Sequence, residues 1–195
     1  MPETKIKVFN HSKAKNRATF LSKRFDRTAV NGKNARLHYE SAMTLLGKTD
    51  GASFKDGTSY LEIAEFIKAN SVQPKKDLQE LWMRIVFNML VSNTDDHLRN
   101  HGFILAKNGW KLSPLFDVNP NPDGDFLSLN VTDNDNSKNI ELALETAEYY
   151  CFSADNAKSE SEKMAEIIAK NWRALALQNK IGNKEIELMA GAFGE

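Results

Sequence analysis

The chain is 195 residues long with 41% apolar residues, enough for one domain or one large lobe of something bigger. Lys plus Arg equals Asp plus Glu at 26 each, so net charge argues for neither nucleic acid nor a membrane surface, although a local basic patch stays open. Cys151 is the only cysteine, which excludes an internal disulfide and a zinc site built mainly from thiolates. No run approaches the roughly eighteen apolar residues of a membrane helix. The polar start Met1 to Lys5 has no signal-peptide core. A soluble, cytoplasmic protein is expected.

Thr4 to Phe9 alternates polar and apolar, Asn10 to Asn16 is polar, and Ala18 to Arg24 is a second strand candidate, so the chain opens with a β-hairpin. Strand signals then fade. Leu37 to Leu46 has the pattern of a short helix ended by Gly47. Ser59 and Glu62 form a capping box opening a helix through Tyr60, Ile63, Ala64, Phe66 and Ile67. After Pro74 comes the most apolar helix, with Leu78, Leu81, Trp82, Ile85, Val86, Met89 and Leu90 around most of its circumference, the mark of a buried helix. Asn119 to Asn139, rich in Asn, Asp and Pro, is a long loop. Helix candidates at Ile140 to Tyr150, Ala157 to Leu177 and Lys184 to Phe193 finish the chain. In the second, Met164, Ile167, Ile168, Trp172 and Leu175 form a stripe assigned to core packing.

The buried helix leads into Asn93-Thr94-Asp95-Asp96-His97-Leu98-Arg99-Asn100, and a second hairpin carries the chain on to Leu115-Phe116-Asp117-Val118. Asn108-Gly109 is a strong signal for a type I′ turn. With these two as the loop, Lys107 faces Trp110, Leu105 faces Leu112 and, counting outward, Asn100 faces Asp117. Directly opposed residues have Cβ atoms roughly 4.5 to 5.5 Å apart, close enough for a carboxylate and an amide oxygen to share one divalent cation. Asp95 and Asn100 also stand as Asp-x-x-x-x-Asn, the separation of the protein-kinase catalytic loop, where the Asp accepts the substrate hydroxyl proton and the Asn holds Mg²⁺. Phosphoryl transfer needs such groups because hard oxygen ligands must place the metal and a carboxylate must aim the nucleophile.

Other motifs have blander readings. His97-x-x-x-His101 has chelating spacing only on a helix, and here it runs from loop into strand, so His97 is expected to brace the loop by hydrogen bonds. Asp133 to Ser137 fails as a calcium loop because Lys138 and Leu144 stand where Gly and Glu are needed. Arg99 either neutralises phosphate or pairs with Asp96.

Together these segments resemble the HipA-like serine/threonine kinases, the toxin components of bacterial toxin–antitoxin pairs. The matching strings are Phe20 to Arg27, Arg36-Leu37-His38, Asn93 to Asn100 and Leu112-Ser113-Pro114-Leu115-Phe116-Asp117-Val118, and the similarity runs from Met1 to at least Trp172. The resemblance implies an α+β, mostly helical chain, a protein-kinase-like C-terminal lobe with a short N-terminal β-hairpin and a catalytic β-hairpin. Residues 1–27 would be the last small-lobe hairpin and hinge, and 28–195 the helical large lobe of a single domain. It implies ATP and Mg²⁺ as cofactors, Asp95 as catalytic base, and Asn100 and Asp117 as metal ligands. Lys23, Arg24 and Phe25 would be the hinge strand whose backbone bonds adenine, with Phe25 against the base. His97, Leu98, Arg99 and Asn100 would contact the phosphates. Asp96 stands where many relatives carry a small residue such as glycine, an extra carboxylate that would draw the metal or repel phosphate.

Family members carry a small lobe before the hinge, with a phosphate-covering loop and an ATP-binding lysine, whereas this chain reaches its hinge at Lys23 and has no glycine before Gly32. Met1-Pro2-Glu3 looks like an internal segment of the family domain. Without that half of the phosphate clamp the isolated chain is expected to be far slower than a complete kinase, each 1.36 kcal/mol being about tenfold in rate. The implied partners are a protein substrate, an antitoxin, a chain supplying the small lobe, and DNA only through the antitoxin. A catalytically dead remnant, or a module that binds antitoxin or substrate, is the alternative.

Overall fold

The computed structural model describes residues 4–11, 14–30 and 32–194. Strands β1 (Thr4–His11) and β2 (Ala14–Ser22) form the first antiparallel hairpin, from Thr4 opposite Ser22 inward. Met1 to Glu3, and Ser12 and Lys13 of the expected turn, lie outside the described residues. The second strand ends at Ser22, so Lys23 and Arg24 leave the ladder rather than extend it. Strands do not fade afterwards. A second hairpin pairs β3 (Arg27–Val30) with β4 (Lys33–Arg36), and β5 (Tyr39–Ser41) joins a three-stranded sheet with β6 (Gly102–Ala106) and β7 (Gly109–Leu112). The expected helix over Leu37 to Leu46 therefore shrinks to α1 (Ala42–Leu45), because Tyr39 to Ser41 find backbone partners in Ile104, Phe103 and Gly102, about sixty residues on. Local propensity cannot register such a partner.

The capping box at Ser59 and Glu62 opens α2 (Tyr60–Asn70), and Pro74 opens α3 (Pro74–Leu90). Leu78, Leu81, Trp82, Ile85, Val86 and Met89 are all buried on α3, as its pattern requires. They pack with Ile63 and Ile67 of α2 and with Phe103 of β6 in one core. Burying side chains of this size stabilises by about 1.5–3 kcal/mol each.

The hairpin between β6 and β7 is shifted from the expected register. Phe103 faces Leu112, Leu105 faces Trp110 and Ala106 faces Gly109, so the two loop residues are Lys107 and Asn108. Asn108 is not left-handed, so no type I′ turn forms. Gly109 serves a close approach instead: a Cβ there would lie 2.6 Å from the carbonyl oxygen of Asn70, where β7 docks on the α2–α3 connection through the Val72 N–H to Trp110 carbonyl bond of 2.9 Å.

The Asn119 to Asn139 loop holds no regular helix or strand, yet Leu127, Leu129 and Val131 are buried in the core, and Asn130 exchanges backbone bonds with Thr58 and Tyr60. The chain ends with α4 (Ile140–Glu145) and a 3₁₀ turn (Ala147–Tyr150), then α5 (Ala154–Gln178), α6 (Asn183–Met189) and a last 3₁₀ turn (Ala190–Phe193). The stripe on α5 is a core stripe only in part, with Met164 packed against the core. Trp172 is buried, but Ile167 is 53% and Leu175 54% exposed. Among the described residues no helix is long and apolar enough to cross a membrane.

Candidate active site

Helix α3 organises the site from both ends of its sequence. Its C-terminus runs into the Asn93 loop through Ser92, whose φ of 52° lies in the left-handed region. Further back, the buried Asp77 carboxylate accepts the Leu112 N–H at 3.1 Å, and the buried Arg84 guanidinium donates to the Ser113 carbonyl at 2.6 Å. Burial lowers the Arg84 pKa, an effect opposed by the Glu80 carboxylate to which it also donates. One helix thus carries the Asp95 loop and grips the start of the segment that ends in Asp117.

Asp96 anchors the loop from below. One of its oxygens, Oδ2, accepts hydrogen bonds from the Tyr60 hydroxyl at 2.8 Å and from Asn88 Nδ2 at 2.7 Å, and stands 2.9 Å from His101 Nε2. The His101 and Asp96 side chains are 0% and 2% exposed. Burial by itself would raise the Asp96 pKa, but the neighbouring His101 imidazole and the hydrogen bonds from His101 and Tyr60 outweigh it and hold the carboxyl below its ordinary value. Burial, with the Asp96 charge beside it, pushes Tyr60 well up, so its hydroxyl remains a donor. Asp96 is thus buried and engaged by three donors, in contrast to its neighbour Asp95. The same contact removes His101 from any chelating pair with His97, and among the described residues no three His, Cys, Asp or Glu stand together as a metal cluster.

With Asp96 turned inward, Asp95 is exposed at the loop tip. Asn100 sits in a 3₁₀ turn (Leu98–Asn100), not in a strand, and its Nδ2 donates to the Asp95 carbonyl at 3.3 Å. The ladder stops at Phe103 and Leu112, followed by one bond from Ser113 N–H to the Gly102 carbonyl, so Asn100 and Asp117 are not cross-strand partners. Other contacts tie the two segments together. Asp117 is left-handed at φ 56° and accepts from Asn119 Nδ2 at 2.9 Å, while Asn119 N–H donates to Asn93 Oδ1 at 3.3 Å. Asn121 adds a backbone bond to Ser92 O at 2.9 Å and a side-chain bond to Thr94 Oγ1 at 3.0 Å. An exposed carboxylate held from one side and an amide whose nitrogen is already engaged leave oxygens to offer a hard cation.

Phe25 lies 5.9 Å from Tyr39 and 5.7 Å from Phe116, centroid to centroid. The three rings and residues 22–26 line a cleft of about 290 Å³, and a neighbouring cleft of about 260 Å³ shares Ser22 and Phe116 and is walled by Leu115 to Asn119. The hinge candidates and Asp117 thus border adjoining hollows. Arg24 and Arg27 both hold the Asp26 carboxylate, and the Arg24 hydrogen bond is the main reason its pKa falls to about 2. Arg99 pairs with Asp50 rather than with Asp96, beside a pocket of about 190 Å³ walled by Met43, residues 50–53, His97 to Arg99 and Ser128. His97 Nε2 is 3.3 Å from Arg99 Nη2. Sequence reasoning did not find Asn88, Asn119, Asn121, Tyr60 or His101 as parts of the site. A lone Asn within the apolar α3 pattern was the available signal.

A family model described as the HipA-like C-terminal domain matches residues 1–176. The chain belongs to the HipA-like C-terminal domain family. Curated relatives include a Haemophilus influenzae protein named "Putative kinase", 31% identical over 129 residues, and a Sinorhizobium fredii protein named "Putative kinase Y4mE", 29% identical over 109 residues. These alignments cover 63% and 54% of this chain, but only 38% and 26% of the relatives. Among solved structures, a chain of the HipA, HipB and operator DNA complex of the Shewanella oneidensis MR-1 toxin–antitoxin system matches with a TM-score of 0.75 at 18% identity, over 99% of this chain and 50% of that one. The HipA-like chain described here therefore has the HipA kinase-like fold, α+β and mostly helical, and spans half or less of the proteins it resembles.

Proposed function

We propose that this chain is the large lobe of an ATP- and Mg²⁺-dependent serine/threonine protein kinase in which Asp95 is the catalytic base. The observation that carries the reading is the pair of ties, Asn119 to Asn93 and Asn121 to Thr94, that hold the Asp117 segment beside the Asp95 loop. Asp95, exposed on a pinned loop, accepts the proton of the incoming hydroxyl as its oxygen forms a bond to the terminal phosphorus and the bond to the bridging oxygen breaks. Bound Mg²⁺ would supply charge neutralisation on the phosphates, with Asn100 and Asp117 holding it. Phe25, Tyr39 and Phe116 would receive the base, with backbone contacts from Lys23 to Phe25, and His97 to Asn100 would face the phosphates. The solved complex supports an antitoxin of HipB type as partner; DNA would be reached only through that antitoxin. A protein chain supplying further small-lobe elements would complete the phosphate clamp.

Thermal shift with ATP and Mg²⁺ tests this, since ligand at 100 times its Kd stabilises by about 2.7 kcal/mol. Asp117→Ala should lose the shift, while Asp95→Ala should keep it and lose transfer. No shift in the wild type, or an equal one in Asp117→Ala, would favour a binding module without turnover.

A further inference from the structure

We propose that Lys138 is a positioning residue for Asp95, acting through Ser92 and Gly124; the inference rests on the kinase reading of Asp95. Lys138 closes the Asn-rich loop and lies far from the hinge in sequence. Its ammonium donates to Ser92 Oγ at 2.8 Å and to the Gly124 carbonyl at 3.0 Å, and Ser92 Oγ in turn donates to the Ala192 carbonyl at 2.8 Å. The backbone of Lys138 is fixed as well, its N–H bonding to the Asp125 carbonyl at 3.3 Å. Both side-chain contacts lead to the base loop. Ser92 is 3% exposed and left-handed, a conformation a non-glycine residue holds only when its surroundings over-determine it. Gly124 lies so close to Thr94 that a Cβ on it would stand 2.5 Å from Thr94 Cγ2 and Oγ1.

One cation thus fixes both Ser92 and the glycine that Thr94 packs against. Asn93 between them is held by Asn88 and Asn119, and the Thr94 carbonyl accepts from Ser128 Oγ at 2.9 Å. Every residue from Ser92 to Thr94 is pinned, and Asp95 projects from the end of that pedestal. Positioning of this kind matters because a displacement of about 1 Å at a reacting group can cost roughly a hundredfold in rate.

Hydrogen exchange on the full 195-residue chain separates this role from general stabilisation. Losing a charge-assisted bond should open the loop about ten- to a hundredfold more often. In Lys138→Met the amides of Asn93 to Asn100 should therefore exchange at least about tenfold faster while those of α2 and the middle of α3 keep the wild-type rate, and Lys138→Arg should recover most of the protection. Unchanged loop exchange, or an equal rise in α3, overturns the proposal. Where the chain transfers phosphate, Lys138→Met should lower kcat about tenfold with KM for ATP within about twofold, and a change confined to KM also overturns it. A wild type that binds no nucleotide defeats the kinase reading, whereas the exchange pattern still decides whether Lys138 fixes the loop.

Discussion

Replacing Asp96 by alanine removes the one acceptor on which Tyr60, Asn88 and His101 converge. Each buried donor left without a partner costs about 1–3 kcal/mol, so three independent losses would sum to about 3–9 kcal/mol. The donors share one oxygen and can relax toward the vacated space, which places the cost near the low end, about 4 kcal/mol, within the range of about 3–5 kcal/mol for breaking a buried pair. With a urea m-value of about 2 kcal/mol/M, the unfolding midpoint should fall by about 2 M at unchanged m. Asp96→Asn retains an acceptor oxygen and should cost about 1–2 kcal/mol. The pH dependence identifies the charge. A carboxyl whose folded pKa lies below its unfolded value, about 3.9, stabilises fully above that value and loses the contribution as pH falls through the folded pKa. Below about pH 4 the wild type should therefore lose stability more steeply than Asp96→Asn, with Asp26 contributing equally to both. A midpoint change under about 0.5 M for Asp96→Ala, or parallel acid profiles, would refute the assignment of Asp96 as the anchor of the loop.

Gly124→Ala should push Thr94 away and disturb Asp95, costing about 1–3 kcal/mol in urea unfolding and lowering transfer while leaving the ATP thermal shift in place. Gly102→Ala places a Cβ 2.2 Å from Tyr39 Cε2, so the ring must leave its position beside Phe25; fluorescence titration should show nucleotide affinity about tenfold weaker. Asp50→Asn breaks a surface pair whose partners are 73% and 48% exposed, so its unfolding midpoint should move by less than about 1 kcal/mol equivalent, and high salt should erase the difference.

Helices with a strong repeating pattern were legible in the sequence. The capping box at Ser59 and Glu62, Pro74 at the first turn of α3 and the apolar circumference that follows are local signals, and the helices start and bury as those signals require. The exposed half of the α5 stripe shows the limit of the same signal: periodicity says which residues share a face, not whether anything covers it. Strand pairing and register were less legible. Tyr39 to Ser41 became a strand because Gly102 to Ile104 were there to pair with it. Gly109 lies outside the two-residue loop, where its missing Cβ leaves room for the Asn70 carbonyl.

The sequence alone determined the order of the chemistry: an acidic loop with Asp95 and Asn100 after a buried helix, then Asp117, in a chain resembling the HipA-like kinases. Tertiary structure decided which carboxylate faces solvent and what holds the two segments together. Asp95 and Asp96 are chemically identical neighbours, and their surroundings differ because Tyr60, Asn88 and His101, brought from separate parts of the chain, meet around one of them. A buried charge persists only where such donors converge, and that convergence is a property of packing, which no stretch of sequence contains.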